Sequence, residues 1–259
     1  MRTDAPAEGA PRRARNARTN GRSPSAVRVS LLGVFALSED GISREIPRAA
    51  RRLIALLALN RRGLSRTRAA MLLTPHLEPE SAAGSLRATL ARLRTSGPPV
   101  LETQADTLRL APGVTVDAWE LEGLAACMAL SADASPERVS LDDFALELLP
   151  GWDDDWVLFE RARLQDLFLH ALEAHARQLA SAGSVLPALA AAYEALRVDP
   201  LRESTARLLI EMYLAEGNQA RAARAYLDFR QRLRSALGIE PSEAMRSLVG
   251  DALKATSTP

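Results

Sequence analysis

Three leucines in residues 80–95, Leu86, Leu90 and Leu93, recur at i, i+4 and i+7, the spacing of one buried helical stripe. At about 100° per residue, Ser81, Gly84, Ala88 and Ala91 point away from that stripe, and Arg87, Arg92 and Arg94 flank it. A face of small residues lets a helix approach base edges in a major groove, and guanidinium groups beside it pair bidentately with phosphate or guanine. A solvated amphipathic helix carries the same pattern, so the surrounding charge has to decide between the two. Residues 44–94 hold 11 arginines (44, 48, 51, 52, 61, 62, 66, 68, 87, 92 and 94) against Glu45, Glu78 and Glu80, a net charge of +8. That density favours contact with a polyanion, and only a fraction of the arginines need touch phosphate to make binding steeply salt-dependent. The residues expected at DNA are Arg48, Arg51, Arg66, Ser81, Ser85, Arg87, Arg92 and Arg94. Arg92 and Arg94, near the C-terminal end of the helix, are expected on phosphate; Arg87, nearer its middle, is expected within reach of a guanine edge.

Catalytic constellations are poor. Asp153, Asp154 and Asp155 follow Gly151-Trp152, but consecutive residues on a helix do not converge on one ion. Capping and the helix dipole explain three acids at a helix start better. His170 and His175 lie five apart, where a ligand pair on one helix face needs four. His76 falls in a turn, in reach of phosphate at most. Cys127 has no histidine nearby and reads as a buried apolar residue. Phosphate-binding loop, dinucleotide fingerprint and nucleophile elbow are all missing from the sequence. Neither an enzyme nor a metal or cofactor site is expected.

Charge divides along the chain. Residues 1–116 carry 19 basic and 9 acidic side chains, and residues 117–259 carry 14 and 23, so a half with net charge +10 precedes one with −9. Such a division suits a half that meets a polyanion and a half that does not. The hydrophobic fraction of 47% supports buried cores, and aromatics at 4% favour Ala/Leu helix packing over a β-sandwich. A single cysteine excludes an internal disulfide framework and suits a reducing cytoplasm. No apolar run reaches the 18 residues of a membrane span, and no secretory signal opens the sequence.

The elements that must position the arginines follow from periodicity. Residues 1–26, with six arginines and no apolar pattern, read as a disordered tail. Residues 27–37 and 42–46 around Asp40-Gly41 predict a β-hairpin. Helices are predicted over residues 48–60, 66–73 and 80–95, the second capped by Ser65 and separated from the third by Thr74-Pro75. Residues 100–103 and 107–110 predict a second hairpin, which completes a helix-turn-helix with a β-wing. Beyond Asp117 the patterns are helical. Leu179, Gly183, Ala188, Ala192 and Ala195 recur 34 residues later as Tyr213, Gly217, Ala222, Tyr226 and Phe229, a tetratricopeptide-like repeat in which each glycine ends a helix. The fold class is therefore mainly α: a winged helix-turn-helix over residues 27–116, then an all-helical domain over 117–254 and a disordered end over 255–259.

The order and several segments resemble the antibiotic regulatory protein family of actinomycete transcription activators. The matching stretches are RRLIALLAL (51–59), VDAWELEGL (116–124), LLPGWDDDWVLFERARL (148–164), VDPLRESTARLLIEMYLAEGNQARAARAY (198–226) and LGIEPSEAMRSL (237–248). The resemblance implies an OmpR-type winged helix joined to a bacterial transcriptional activation domain. It also implies double-stranded DNA with direct-repeat sites near promoters, contact with RNA polymerase, and a cytoplasmic, nucleoid-associated location; a homodimer on DNA is compatible with it. Ala83 and Gly84 depart from the family pattern where DNA would be read, and Ala49 stands where lysine is common. Those departures keep an alternative open: a protein-binding adaptor whose DNA-binding domain is degenerate.

Overall fold

The computed structural model describes residues 26–96, 98–130 and 144–256. The expected Arg-rich tail lies outside them except for Ala26, as do residues 257–259 of the expected disordered end. Helix α1 (Arg48–Leu59) is the centre of the first half: residues 53–58 are all completely buried. A helix apolar on every side must be covered on every side. Around it stand α2 (Arg66–Leu73), α3 (Pro79–Ser96), and the hairpin of β5 (Leu101–Gln104) and β6 (Thr107–Leu110). Strand β4 (Leu64–Ser65) adds to that hairpin in the order β4-β6-β5.

The first hairpin differs from the expectation. Residues 27–37 do not form one strand. The chain turns at Gly33, where φ is +75°, so that β2 (Ala36–Glu39) folds back on β1 (Val27–Ser30) with Val29 opposite Leu37. The turn at Asp40-Gly41 then joins β2 to β3 (Ile42–Ser43). The alternation was sound, since Val27, Val29 and Leu37 all face the core. It served two antiparallel strands. Strand β7 (Thr115–Val116) closes the sheet parallel to β1, in the order β3-β2-β1-β7.

The second half is helical among the described residues: α4 (Asp117–Leu130), α5 (Asp155–Ser181), α6 (Val185–Val198), α7 (Glu203–Ala215), α8 (Gln219–Leu237) and α9 (Glu243–Thr256). The last of these runs past residue 254. The expected repeat has a backbone counterpart. At the end of α5 the Ser184 N–H donates to the Leu179 carbonyl at 2.9 Å, and at the end of α7 the Asn218 N–H donates to the Tyr213 carbonyl at 2.8 Å. Gly183 and Gly217, 34 residues apart, take the left-handed conformation at φ +77° and +72° that this six-residue closure requires. Ala188 and Ala222, both completely buried, allow close approach of the neighbouring helix.

The described residues form two buried cores. One runs from Val27 through Leu172 with Ala195, and the other from Ala176 through Val249, so the change falls within α5. Polar bonds follow the first core across the seam. The Asp117 carboxylate accepts from the Leu31 N–H at 2.8 Å and the Leu32 N–H at 3.1 Å. Burial pushes its pKa up, against the pull of those donors. Trp119 donates its indole N–H to the Ala58 carbonyl at 2.8 Å, and Arg28 grips Glu120 with two bonds of 2.9 and 2.8 Å. Arg161 donates to the carbonyls of Leu148, Leu149 and Trp152. No helix among the described residues is long and apolar enough to cross a membrane.

Two expectations about single residues are corrected. Asp154 holds the N-cap position of α5, but its side chain makes no capping bond; it pairs with Arg52 on α1 instead. Cys127 is exposed, not buried. The buried stripe of α4 runs through Ala118, Leu121, Ala125 and Met128, and Cys127 stands about 100° off Met128.

Candidate nucleic-acid interface

Helix α2 begins where the Ser65 hydroxyl accepts from the Arg68 N–H at 3.2 Å. It ends at Thr74, whose hydroxyl and N–H both bond the Ala70 carbonyl. The turn that follows carries Pro75, the exposed His76 and Leu77, and leads into α3. Helix α3 buries Ala82, Leu86, Thr89, Leu90 and Leu93 against the rest of the first half, as the leucine spacing predicts. Its opposite face is open. Ser81, Ser85, Arg87, Ala88, Ala91, Arg92 and Arg94 are all exposed, while Ala83 and Gly84 are half-buried. At about 100° per residue, Arg87 and Arg94 fall on one rim of the small-residue face and Arg92 on the other. A Cβ at Gly84 would come no closer than 4.0 Å to the Arg87 guanidinium and to nothing else, so packing does not demand the glycine.

Pairing sorts the arginines of this half. Arg87, Arg92 and Arg94 make no hydrogen bond or ion pair through their side chains among the described residues, and neither do Arg48, Arg62 and Arg68. Other arginines are tied. Arg51 donates to the Ile46 carbonyl at 2.9 Å and lies 3.8 Å from Glu45. Arg66 stands 4.0 Å from Asp106 at the tip of the β5–β6 hairpin, and its N–H bonds the Asp106 carbonyl at 3.0 Å, which fastens the wing to the start of α2. Arg109 is matched by Glu102 directly across the hairpin at 2.9 Å.

The expected site residues are thus only partly brought together. Ser81, Ser85, Arg87, Arg92 and Arg94 share one exposed helix. Arg48 opens instead onto a cleft with Arg51, Arg52 and residues 150–154. Arg51 bonds a backbone carbonyl through its guanidinium, whereas Arg66 is tied to the wing by its backbone N–H and only approaches Asp106 with its side chain. Arg62 and Arg68 belong to the free set although the residue-by-residue reading passed over them. No local signal separates them from Arg61 and Arg66, which also lack an acid within four positions yet meet Glu122 and Asp106 in the fold. A small cleft of about 40 Å³ between α1, α2 and α3, lined by Ala49, Ala70, Leu86 and Thr89, leaves no room for a ligand. No cluster of metal-ligating side chains occurs among the described residues.

The arrangement is a helix-turn-helix whose second helix presents unpaired cations around small side chains, with a β-hairpin anchored beside it. A family model described as bacterial transcriptional activator domain matches residues 116–253. Among solved structures, Mycobacterium tuberculosis EmbR in complex with a low affinity phosphopeptide is similar, with a TM-score of 0.69 and 21% identity. The match covers 91% of this chain and 67% of that one, and at such identity it shows the shared fold. No curated protein matches.

Proposed function

We propose, from the premise that the chain belongs to the bacterial transcriptional activator domain family, that this regulator of the antibiotic regulatory protein type binds duplex DNA at promoters with α3 in the major groove. One observation carries the reading: among the described residues, Arg68, Arg87, Arg92 and Arg94 on the helix-turn-helix lack acidic partners, while most arginines around them have one. An exposed cation without a partner is solvated at little cost and keeps its charge available for phosphate. On α3 the groups divide by place. Arg87 lies near the middle of the helix, where a guanidinium reaches a guanine edge; Arg92 and Arg94 near its end hold phosphates on the two sides of the groove. Ser81 and Ser85 are short enough to admit the helix and to donate hydroxyls. Arg48 adds a phosphate contact from α1, and Arg51 and Arg66 act mainly by holding the β3–α1 loop and the wing in place.

The residues 27–116 and 117–254 then divide the labour between DNA and regulation. The helical half meets RNA polymerase and promotes initiation, two copies assemble on repeated sites, and the protein works in the cytoplasm at the nucleoid. Binding rather than catalysis is its chemistry. Mapping the bound genomic sites and footprinting one of them tests the reading. At fixed salt, the footprinted site is expected to bind the full chain at least about 10³-fold more tightly than random duplex. Equal affinity for both would overturn it.

A further inference from the structure

Outside the winged helix, a charged concavity of about 620 Å³ lies between α6 and α8, with α7 beneath it. Helix α8 carries Arg221, Arg224, Asp228 and Arg232 into this groove at spacings of three and four, so they form one stripe. All four are exposed, while Ala222, Tyr226, Phe229 and Leu233 bury the opposite face. The far wall is aromatic. The Tyr193 and Tyr213 hydroxyls lie 2.6 Å apart, and the Arg221 guanidinium sits 5.6 Å above the Tyr213 ring. Arg224 has no partner among the described residues, and Arg232 bonds only the Asp228 carbonyl, at 3.3 Å. A groove lined by four arginines, of which Arg197 is paired with Glu194, is out of character in a half whose net charge is −9.

We infer that the groove between α6 and α8 docks an acidic peptide segment of a partner protein, whose carboxylates meet Arg221, Arg224 and Arg232 and whose backbone lies along Tyr193. Length and charge select this occupant. The eleven helical steps from Arg221 to Arg232 span about 16 Å, the length of about five residues of extended chain. That is too long for one small anion to bridge. A duplex fits worse: it brings one charge per roughly 1.7 Å into a negative field, and Asp228 stands in the middle of the stripe. A peptide can space its carboxylates to either side of Asp228. The tyrosine pair holds Arg221 in place over Tyr213 before anything binds.

The test is fluorescence anisotropy with the full chain and labelled peptides of about eight residues. One carries Asp and Glu at both ends around a neutral centre; the others have the same composition with amide or lysine replacements. The acidic peptide is expected to bind, more weakly as salt rises, and the amide and lysine peptides at least about tenfold more weakly. Arg224→Glu with Arg232→Glu is expected to abolish the difference. Both residues are exposed, so the double variant is expected to keep the wild-type melting midpoint. It also keeps wild-type DNA affinity, which separates this inference from the proposed function. Equal binding of acidic and amide peptides, or acidic-peptide binding untouched by the double variant, would overturn the docking site. A labelled duplex whose affinity falls in the double variant would also overturn it, by placing nucleic acid in the groove.

Discussion

On α3 the guanidinium groups of Arg87, Arg92 and Arg94 meet no acid among the described residues. Across the seam between the two halves, Arg28, Arg52 and Arg61 each end on a carboxylate of the other half. The side chain is the same; its surroundings assign it different work. Where the acid is largely buried, as Asp154 beside Arg52 and Glu122 beside Arg61, the seam arginine offsets a charge that burial would otherwise strand, so its loss shows in stability. An α3 arginine adds nothing to the folded state that water does not supply, so its loss shows only against a ligand. On the proposed reading, the comparison also accounts for a chain of one net positive charge that binds a polyanion. What matters is which cations are already spent.

The seam gives the largest expected effect. Asp117→Ala leaves the buried Leu31 N–H and its neighbour without their acceptor, and is expected to destabilise the protein by about 2–4 kcal/mol. Chemical denaturation of the full chain measures it. A loss below about 0.5 kcal/mol would mean that the two halves meet without this carboxylate holding them.

Glu173 sharpens the same point in the helical half. Its buried carboxylate accepts from Thr205 at 2.6 Å and Arg202 at 2.9 Å, and also from Ser204. Burial works to raise its pKa, yet the hydrogen bonds from Ser204, Thr205 and Arg202 together outweigh it, so the group lies below its ordinary value. A depressed carboxylate contributes stability above its unfolded pKa of about 4.3, and that contribution disappears as pH falls through the lower folded value. Glu173→Gln is therefore expected to cost about 1–2 kcal/mol at pH 7, with the gap to wild type closing in acid. Melting curves from pH 7 to pH 3 check this, and a gap that stays constant across that range would contradict the assignment.

The smallest effect belongs to α3. Arg87→Ala, Arg92→Ala and Arg94→Ala are each expected to leave stability within about 0.5 kcal/mol of wild type, since no internal bond is removed. A larger loss by denaturation would show that these groups have structural work after all and would erase the contrast with the seam.

Much of α3 was legible in advance because leucine spacing reports which way a helix faces. The glycine pair at 183 and 217 was legible for a similar reason, a local backbone need repeated in sequence. The seam was not. Asp117 and Leu31 are 86 residues apart, and Arg52 and Asp154 are 102 apart, and periodicity says nothing of partners so distant. That is why Asp154 reads as a cap until Arg52 is placed beside it. Cys127 was misjudged on residue type, whereas the face of α4 decides its exposure. The sheet was half legible: alternation marks residues 27–37 as strand, but the reversal at Gly33 depends on the pairing of Val29 with Leu37.

The central claim is that the unpaired arginines of α3 are the DNA ligands, and binding isotherms at several salt concentrations test it most directly. For Arg92→Ala and Arg94→Ala, affinity for the footprinted site and for random duplex is expected to fall together, with the slope of log K against log salt shallower by about one unit. For Arg87→Ala, the loss is expected to be about 1–3 kcal/mol on the footprinted site and less on random duplex. Three variants that bind the site as wild type does, with unaltered salt slopes, would contradict the account.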